Sequence, residues 1–451
     1  MNYTPHTCNE LLDITNNLAT FNSRKIELKG RIYVSRNQKN LCFLILRLPN
    51  NYTIQAVVLK KKIANVDELL SLTAETIIIV YGTLNLTIKP VEACYFKNIE
   101  IDMDKFKVIS LAQPLPFLLT DKNRDNATVG LELCFANPWI NARSIEQNII
   151  LRVRSKICEL FRNFLNGQNF IEIHTPKLSG SSSEGGCEVF QVKYFDKNAY
   201  LAQSPQLYKQ IAINSDLDRI YEIGPVFRAE KFSHNRHLCE FTSMDIEMSI
   251  NNDYQEIIAM IKNLLTHIIS NLNTFMDTCY SDFIFEKPNI DNIVTITHSD
   301  AIQLLNLRGF ALEDMSDINN AAEKELGDII KKQYGTDIFI LDKFPTCLRP
   351  FYTMPTEHDT NISNSFDIIF RGQEILSGSQ RQTDVIKLTK QIEDRGINPE
   401  SLKYYLASFT HGSDLHGGCG IGLERLTSLY LQINNVKKAT FIVRDPVTIL
   451  P

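Results

Sequence analysis

The feature that most constrains this chain is a change of hydrophobic period near residue 144. Before it, Ile26 to Val34, Leu41 to Arg47, Tyr52 to Leu59, Thr76 to Tyr81 and Tyr95 to Met103 are short, β-rich runs separated by Asn, Gly or Pro turns. Five such strands, with a helix-like insert over Ile63 to Leu72, fit a small Greek-key barrel of the OB type. After it, Ser144 and Gln147 form a capping-box pattern, and Ile145, Ile149, Val153, Ile157, Leu160, Phe161 and Phe164 recur at helical spacing up to a stop at Gly167. A strand over Phe170 to His174 ends at Pro176, and a second apolar stripe runs from Ile257 to Leu272. The expected fold is α+β. Residues 1–20 form a short N-terminal segment, 21–109 the five-stranded barrel, 110–143 a hinge marked by Pro114, Pro116 and Pro138, and 144–451 a larger domain of sheet and helices.

Charge divides the chain in the same way. The whole protein of 451 residues carries a formal net charge of −5, yet the stretch Arg24 to Lys62 holds ten basic residues against the single acid Glu27. A basic barrel inside an acidic protein suits a polyanionic partner, because neutralising phosphates releases their counterions. A merely solvated basic face is an equal reading of the charge alone. No run reaches the roughly 18 apolar residues of a membrane span, and the polar start Met1 to Glu10 shows no export signal. A cytoplasmic protein without membrane partners is expected. The ten cysteines never form Cys-x-x-Cys, so idle thiols are expected rather than a zinc site.

Chemistry concentrates in three clusters. Tyr221 to Glu230, followed by Arg236-His237-Leu238-Cys239-Glu240-Phe241 and the run to Met248, reads as strand, loop, strand. Alternation places Val226, Arg228 and Glu230 together, and Phe241, Ser243, Asp245 and Glu247 together on the return strand. A salt-bridged surface hairpin would account for Arg228 and Glu230 but not for Phe241 or the Arg236-His237 pair. Gly417 to Gly422, with Arg425 at the start of an apolar helix, lets backbone approach a ligand closely and offers a cation to phosphate. Between these clusters, Asp367, Glu374 and Ser377 could give Mg²⁺ hard oxygen ligands while the ion bridges a phosphate.

These residues resemble class II aminoacyl-tRNA synthetases of subclass b, in the aspartyl branch of the archaeal and eukaryotic cytosolic type, over roughly residues 21 to 451. Phe170-Ile-Glu-Ile-His-Thr-Pro176 is similar to the first, dimer-forming motif of that family. Gly-Pro-Val-Phe-Arg-Ala-Glu with Arg-His-Leu-x-Glu-Phe is similar to the second, and Gly-Ile-Gly-Leu-Glu-Arg to the third. The resemblance implies a catalytic domain built on an antiparallel sheet flanked by helices.

It also implies a reaction and its parts. An amino acid carboxylate attacks the α-phosphorus of ATP, and the tRNA terminal adenosine then takes the acyl group, so the enzyme positions and neutralises rather than supplying a nucleophile. Arg228 would hold the α-phosphate and the attacking carboxylate, and Arg425 the γ-phosphate. Phe241 would stack on adenine, with Glu230, Arg236, His237, Leu238 and Gly422 around the nucleotide. Glu374, Ser377 and Asp367 would hold Mg²⁺. For the amino acid, Gln206, Lys209, Ser377 and Arg381 would form the pocket, and Glu184 would bind the substrate ammonium. Two cations left unpaired in a dry pocket should reject an amide by several kcal/mol, so L-aspartate is the expected substrate. The asparaginyl relatives carry an acidic residue where Lys209 stands. Phe43, Arg47, Gln55 and Glu100 match the family's anticodon-reading positions, with Phe43 as barrel core the plainer alternative.

The expected partners are therefore tRNA(Asp), aspartate and a second copy of the chain through the Pro176 motif, with no DNA. An asparagine enzyme, or one charging both tRNAs, is the nearest rival. A catalytically silent synthetase-like RNA-binding protein is the rival from another class. Lys231-Phe-Ser-His-Asn235 departs from the polar stretch usual in the family, and Cys419 stands where Gly is usual.

Overall fold

The computed structural model describes residues 3–124, 129–180 and 189–449. The chain divides into two compact units, Met1–Asn148 and Ile149–Pro451.

The first unit is a closed five-stranded barrel. Arg24–Asn37 pairs antiparallel with Leu41–Arg47, which pairs antiparallel with Thr53–Leu59. That strand runs parallel to Ile99–Ser110, which pairs antiparallel with Ile77–Leu86, and Ile77–Leu86 returns to Arg24–Asn37 to close the ring. Thr4–Pro5 adds a short parallel strand beside Ile26 and Glu27. Period-two alternation turns Cys42, Leu44 and Leu46, Ile54, Ala56 and Val58, and Ile99, Ile101 and Met103 into one buried core. Gly82 is required at the tightest crossing, because a Cβ there would lie 2.3 Å from the Asp102 carbonyl. The helical insert forms at Val66–Ser71. The first twenty residues hold a helix, Cys8–Asn16, started by a capping box between Thr7 and Glu10 and fixed to the barrel by Leu11 and Ile14.

The second unit carries an eight-stranded sheet in the order Val294–Thr297, Ile338–Asp342, Ser365–Phe370, Gln373–Gln380, His416–Gly422, Glu240–Ser249, Arg219–Phe227, Ile171–Glu172. Five successive neighbour pairs, from Ile338–Asp342 to Arg219–Phe227, are antiparallel. The helix Gln255–Cys279 buries Ile257, Ile258, Ile261, Leu264, Leu265, Ile268 and Leu272, and shares a core with Ile150, Val153, Ile157 and Phe161. One face of the sheet closes that core: Phe366, Gly378, Cys419, Ile246 and Tyr221 stand opposite one another across five strands, and all but the glycine are among its buried residues.

The other face is polar. Directly opposed residues run Asp367, Ser377, Gly420, Asp245, Glu222 in one row and Ser365, Ser379, Gly418, Glu247 in the next. Among the described residues no helix is long and apolar enough to cross a membrane.

Candidate active site

The polar face floors a cavity of about 310 Å³. Its wall collects residues that lie more than 200 positions apart in sequence: Gln206, Arg228, Glu230, Arg236, His237, Leu238, Phe241, Glu374, Ser377, Arg381, Gly422 and Arg425. Antiparallel pairing of Val226 with Phe241 puts the two strands of the second motif side by side, and the Arg228 amide donates to the Cys239 carbonyl just beyond (2.9 Å). The Arg228 guanidinium lies 5.4 Å from the centre of the Phe241 ring, a cation against an aromatic face at the cavity wall.

A β-bulge decides which side Glu374 takes. Glu374 and Ser377 are three residues apart, which in a regular strand would put them on opposite faces. The register slips between Ile368 and Ile369, so Glu374 stands opposite Ile369 and joins Ser377 on the polar face. Arg425 then donates to the Glu374 carbonyl (2.8 Å) from the first turn of the helix Leu423–Tyr430. Burial pulls the Arg425 guanidinium down, with Glu374 opposing, so this cation gains much from an arriving anion.

Two of the expected residues lie below the wall rather than on it. Asp367 faces Ser377 across the strand pair but is held by Arg349 at 2.8 Å, while Arg349 also donates to the Ser377 hydroxyl (2.9 Å). Burial raises the Asp367 carboxyl to about 7, with Arg349 opposing and Glu374 adding to the rise. No group of three His, Cys, Asp or Glu gathers among the described residues. The donor set still suits Mg²⁺, which keeps most of its water and needs only one or two carboxylates beside substrate phosphates: Glu374 and Ser377 are on the wall, and Asp367 lies one contact behind.

Lys209, on the helix Gln206–Ile213, is 1% exposed. Its ammonium donates to Asp245 (2.9 Å) and to the Cys419 carbonyl (3.2 Å) and lies 3.5 Å from Glu247. Arg381 grips Glu247 with two nitrogens, at 2.7 and 3.0 Å. Both cations thus meet at Glu247, and Asp245, which carries Lys209, faces the cavity. The argument from two unpaired cations needs correction: two carboxylates already neutralise them. Burial pulls Lys209 toward neutrality, but Asp245 and Glu247 more than offset it and leave its affinity for the proton raised. Glu247 is held below the ordinary carboxylate range, because Arg381 and Lys209 overcome its burial.

The remaining expected residues lie elsewhere. Glu184 falls outside the described residues. In the barrel, Phe43, Ile45 and Arg47 alternate with the core residues and so share the outer face with Gln55, which stands opposite Ile45. Phe43 is half-buried there and is absent from the barrel core. Gln55 donates to the Glu100 carboxylate at 2.8 Å. Arg47 is not open: it is bound to Glu75 at 2.5 Å, and Arg143 and Arg31 approach the same carboxylate at 2.8 and 3.8 Å.

Four neighbours of the site were not singled out from the sequence. Glu323, on the helix Asn320–Tyr334, pairs with Arg236 at 3.0 Å. Arg349 ties Asp367 to Ser377. Lys437 and Asp445 strap the loop between the strands Arg219–Phe227 and Glu240–Ser249 through Ser233, which Lys437 reaches at 2.6 Å and which donates to Asp445 at 3.1 Å. Nothing in the local sequence marks them: Glu323 is one of six charged residues on its helix, and its partner Arg236 lies 87 positions away.

The profile of the tRNA synthetases class II (D, K and N) matches residues 130–445. The chain is 38% identical to the cytoplasmic aspartate–tRNA ligase of Caenorhabditis elegans over 95% of its own length and 85% of that protein. Among solved structures, the aspartyl-tRNA synthetase of Entamoeba histolytica is similar with a TM-score of 0.85 and 37% identity, covering 95% of this chain and 90% of that one. The asparaginyl-tRNA synthetase of Pyrococcus horikoshii bound to asparaginyl-adenylate superposes with a TM-score of 0.88 at 25% identity, covering 99% of each chain.

Proposed function

We propose, for a chain that belongs to the class II tRNA synthetases of the D, K and N group, that the cavity joins L-aspartate to tRNA(Asp) at the cost of ATP. In the first step the aspartate α-carboxylate oxygen attacks the α-phosphorus and pyrophosphate leaves. In the second the terminal ribose hydroxyl of the tRNA attacks the acyl carbon, its proton is lost and AMP leaves.

The chain's own residues position and neutralise. Arg228 holds the α-phosphate beside the attacking carboxylate, and Phe241 offers its ring to adenine, flanked by Glu230, Arg236, His237 and Leu238. Arg425 takes the γ-phosphate next to Gly422. Gln206 and Arg381 read the side-chain carboxylate with Lys209 behind them, and Glu184 takes the ammonium. Bound magnesium, held by Glu374, Ser377 and Asp367, would neutralise phosphate charge and orient the leaving pyrophosphate. In the barrel, Phe43, Gln55 and Glu100 read anticodon bases while Arg47 stays bound to Glu75, and two copies associate through the Pro176 segment. The relatives' cytoplasmic names support a cytoplasmic setting.

The observation that carries this reading is the junction of Lys209 and Arg381 on Glu247, next to a wall that also presents Arg228, Glu374 and Arg425. An amino acid pocket built on this charge-balanced pair and an arginine-lined phosphate site then share one floor. Charging assays with aspartate or asparagine on each of the two tRNAs test it. Aspartyl-tRNA(Asp) with release of AMP is the expected product. A protein that makes no AMP with either amino acid is a silent RNA-binding relative, and one that activates asparagine as well as aspartate lacks the proposed selectivity.

A further inference from the structure

We infer that Gln210, backed by His416, is a positioning residue that fixes the amide orientation of Gln206 and thereby the face that Arg381 presents to the amino acid. Hydrogen-bond direction fixes each amide in turn. A guanidinium only donates, so the bond between Arg381 Nη2 and Gln206 at 3.1 Å requires the Gln206 oxygen on that side. The Gln206 amine is thereby turned to the Gln210 oxygen, to which it donates at 3.2 Å, and the Tyr405 hydroxyl donates to the same oxygen at 3.0 Å. The Gln210 amine must then face His416 Nε2, 3.3 Å away, and that nitrogen must accept. At the far end the Asp414 carbonyl can only accept, so His416 Nδ1 donates to it at 2.7 Å. Both ends demand the same direction, and the chain between them has no mismatched pair.

Burial makes the direction matter. Gln210 and His416 are 0% exposed and Gln206 is 5% exposed, so water cannot repair a reversed amide. The arrangement needs His416 neutral with its proton on Nδ1. Its burial favours that form, against the pull of Glu247. The charged groups around it are Glu247 and Arg381 from the sheet and Asp414 beside it in the chain, while the packed helices bring Tyr405 to Gln210 and Lys209 to Glu247. A second proton on His416 would set an N–H against the Gln210 amine. Turning Gln210 to relieve that clash would turn Gln206, whose amine would then oppose Arg381.

The inference rests on the aspartate reading, and the two can fail separately. Steady-state pyrophosphate exchange is measured for the wild type, Gln210→Leu and Gln210→Glu from pH 6 to 9. Gln210→Leu is expected to raise the KM for aspartate about tenfold, the scale of one lost buried hydrogen bond, with the KM for ATP unchanged. A glutamate at 210 still accepts from Gln206 and Tyr405 but has no donor for His416 Nε2. Its KM for aspartate is therefore expected to be high at alkaline pH and to fall as His416 takes up a proton, whereas the wild type, whose burial favours neutral His416, is expected to stay nearly level over this range. Loss of aspartate exchange in the wild type defeats the functional reading itself. Wild-type exchange combined with ATP and aspartate KM values that move together in Gln210→Leu, or with a Gln210→Glu profile parallel to the wild type, overturns this inference alone.

Discussion

Lys209 shows how a buried charge can be both necessary and costly. It is 1% exposed, and Asp245 and Glu247 around it keep it protonated against that burial. Replacing it by leucine leaves two carboxylates facing one guanidinium, so Lys209→Leu should lose about 3 to 5 kcal/mol of stability as well as aspartate activation. Calorimetry and pyrophosphate exchange read the two effects. ATP binding to the folded variant should persist, and an unchanged KM for aspartate would refute a role for this lysine in the pocket. At this scale the sequence was informative wherever a residue acts through its own strand: alternation alone put Phe241, Ser243, Asp245 and Glu247 on one face, and the register agrees. It was silent where a partner comes from afar. Nothing near Asp367 announces that Arg349, 18 positions earlier, holds it.

Elements bring the phosphate-facing groups together by close backbone contact. Helix Asn320–Tyr334 rests on the turn before Glu374 because Gly327 and Gly372 meet: a Cβ on Gly327 would lie 2.5 Å from the Gly372 Cα. The contact brings Glu323 to Arg236 and steadies the turn leading to Glu374. Gly327→Val is expected to cost about 1 to 3 kcal/mol by overpacking and to raise the KM for MgATP more than that for aspartate. The loop between the strands Arg219–Phe227 and Glu240–Ser249 is held from the other side by the C-terminal segment, through the Val436 amide on the Asn235 carbonyl (2.9 Å) and the Cys239 amide on the Arg444 carbonyl (2.8 Å), with Lys437 bonded to both Ser233 and Asp445. Although burial opposes it, Lys437 and the amides of Thr448 and Val447 hold the Asp445 carboxyl down at about 2. A depressed carboxyl stabilises the fold above its unfolded pKa of about 4 and stops doing so as pH falls toward 2. Asp445→Asn should therefore lose about 2 kcal/mol at neutral pH, and urea denaturation should show the deficit shrinking between about pH 4 and pH 2. A constant deficit across that window would mean that the charge is not the source. The bulge beside Ile369 and the capped helix over Cys8–Asn16 were not read in advance. A bulge has no dependable residue signature, and the Thr7–Glu10 box is local punctuation in a stretch too short to force a helix by itself.

Over the whole chain, the two units carry opposite charge and should respond to salt differently. The proposed tRNA binding by the barrel unit would draw on its basic residues, so raising salt from about 50 to 200 mM should weaken tRNA binding steeply through counterion uptake. Aspartate-dependent pyrophosphate exchange occurs in a partly buried cavity and should change little over the same range. Filter binding and exchange, run side by side, check this, and parallel losses would argue against separate duties. For the association of two copies, Ile171 at the sheet edge is 49% exposed beside the Pro176 segment. The proposed association predicts that the wild type sediments as a dimer and a Pro176→Gly variant as a monomer at the same concentration; a monomeric wild type would refute it.

The strand His416–Gly422 crosses the middle of the sheet with glycine at positions 417, 418, 420 and 422, and a Cβ at Gly418 would come within 2.0 Å of the Ile246 carbonyl. Its paving is already as thin as chemistry allows. Anyone wishing to retool this pocket for a bulkier building block has nothing left to excavate along this strand, and must cut into the flanking strands, where Asp245 and Ser377 line the cavity.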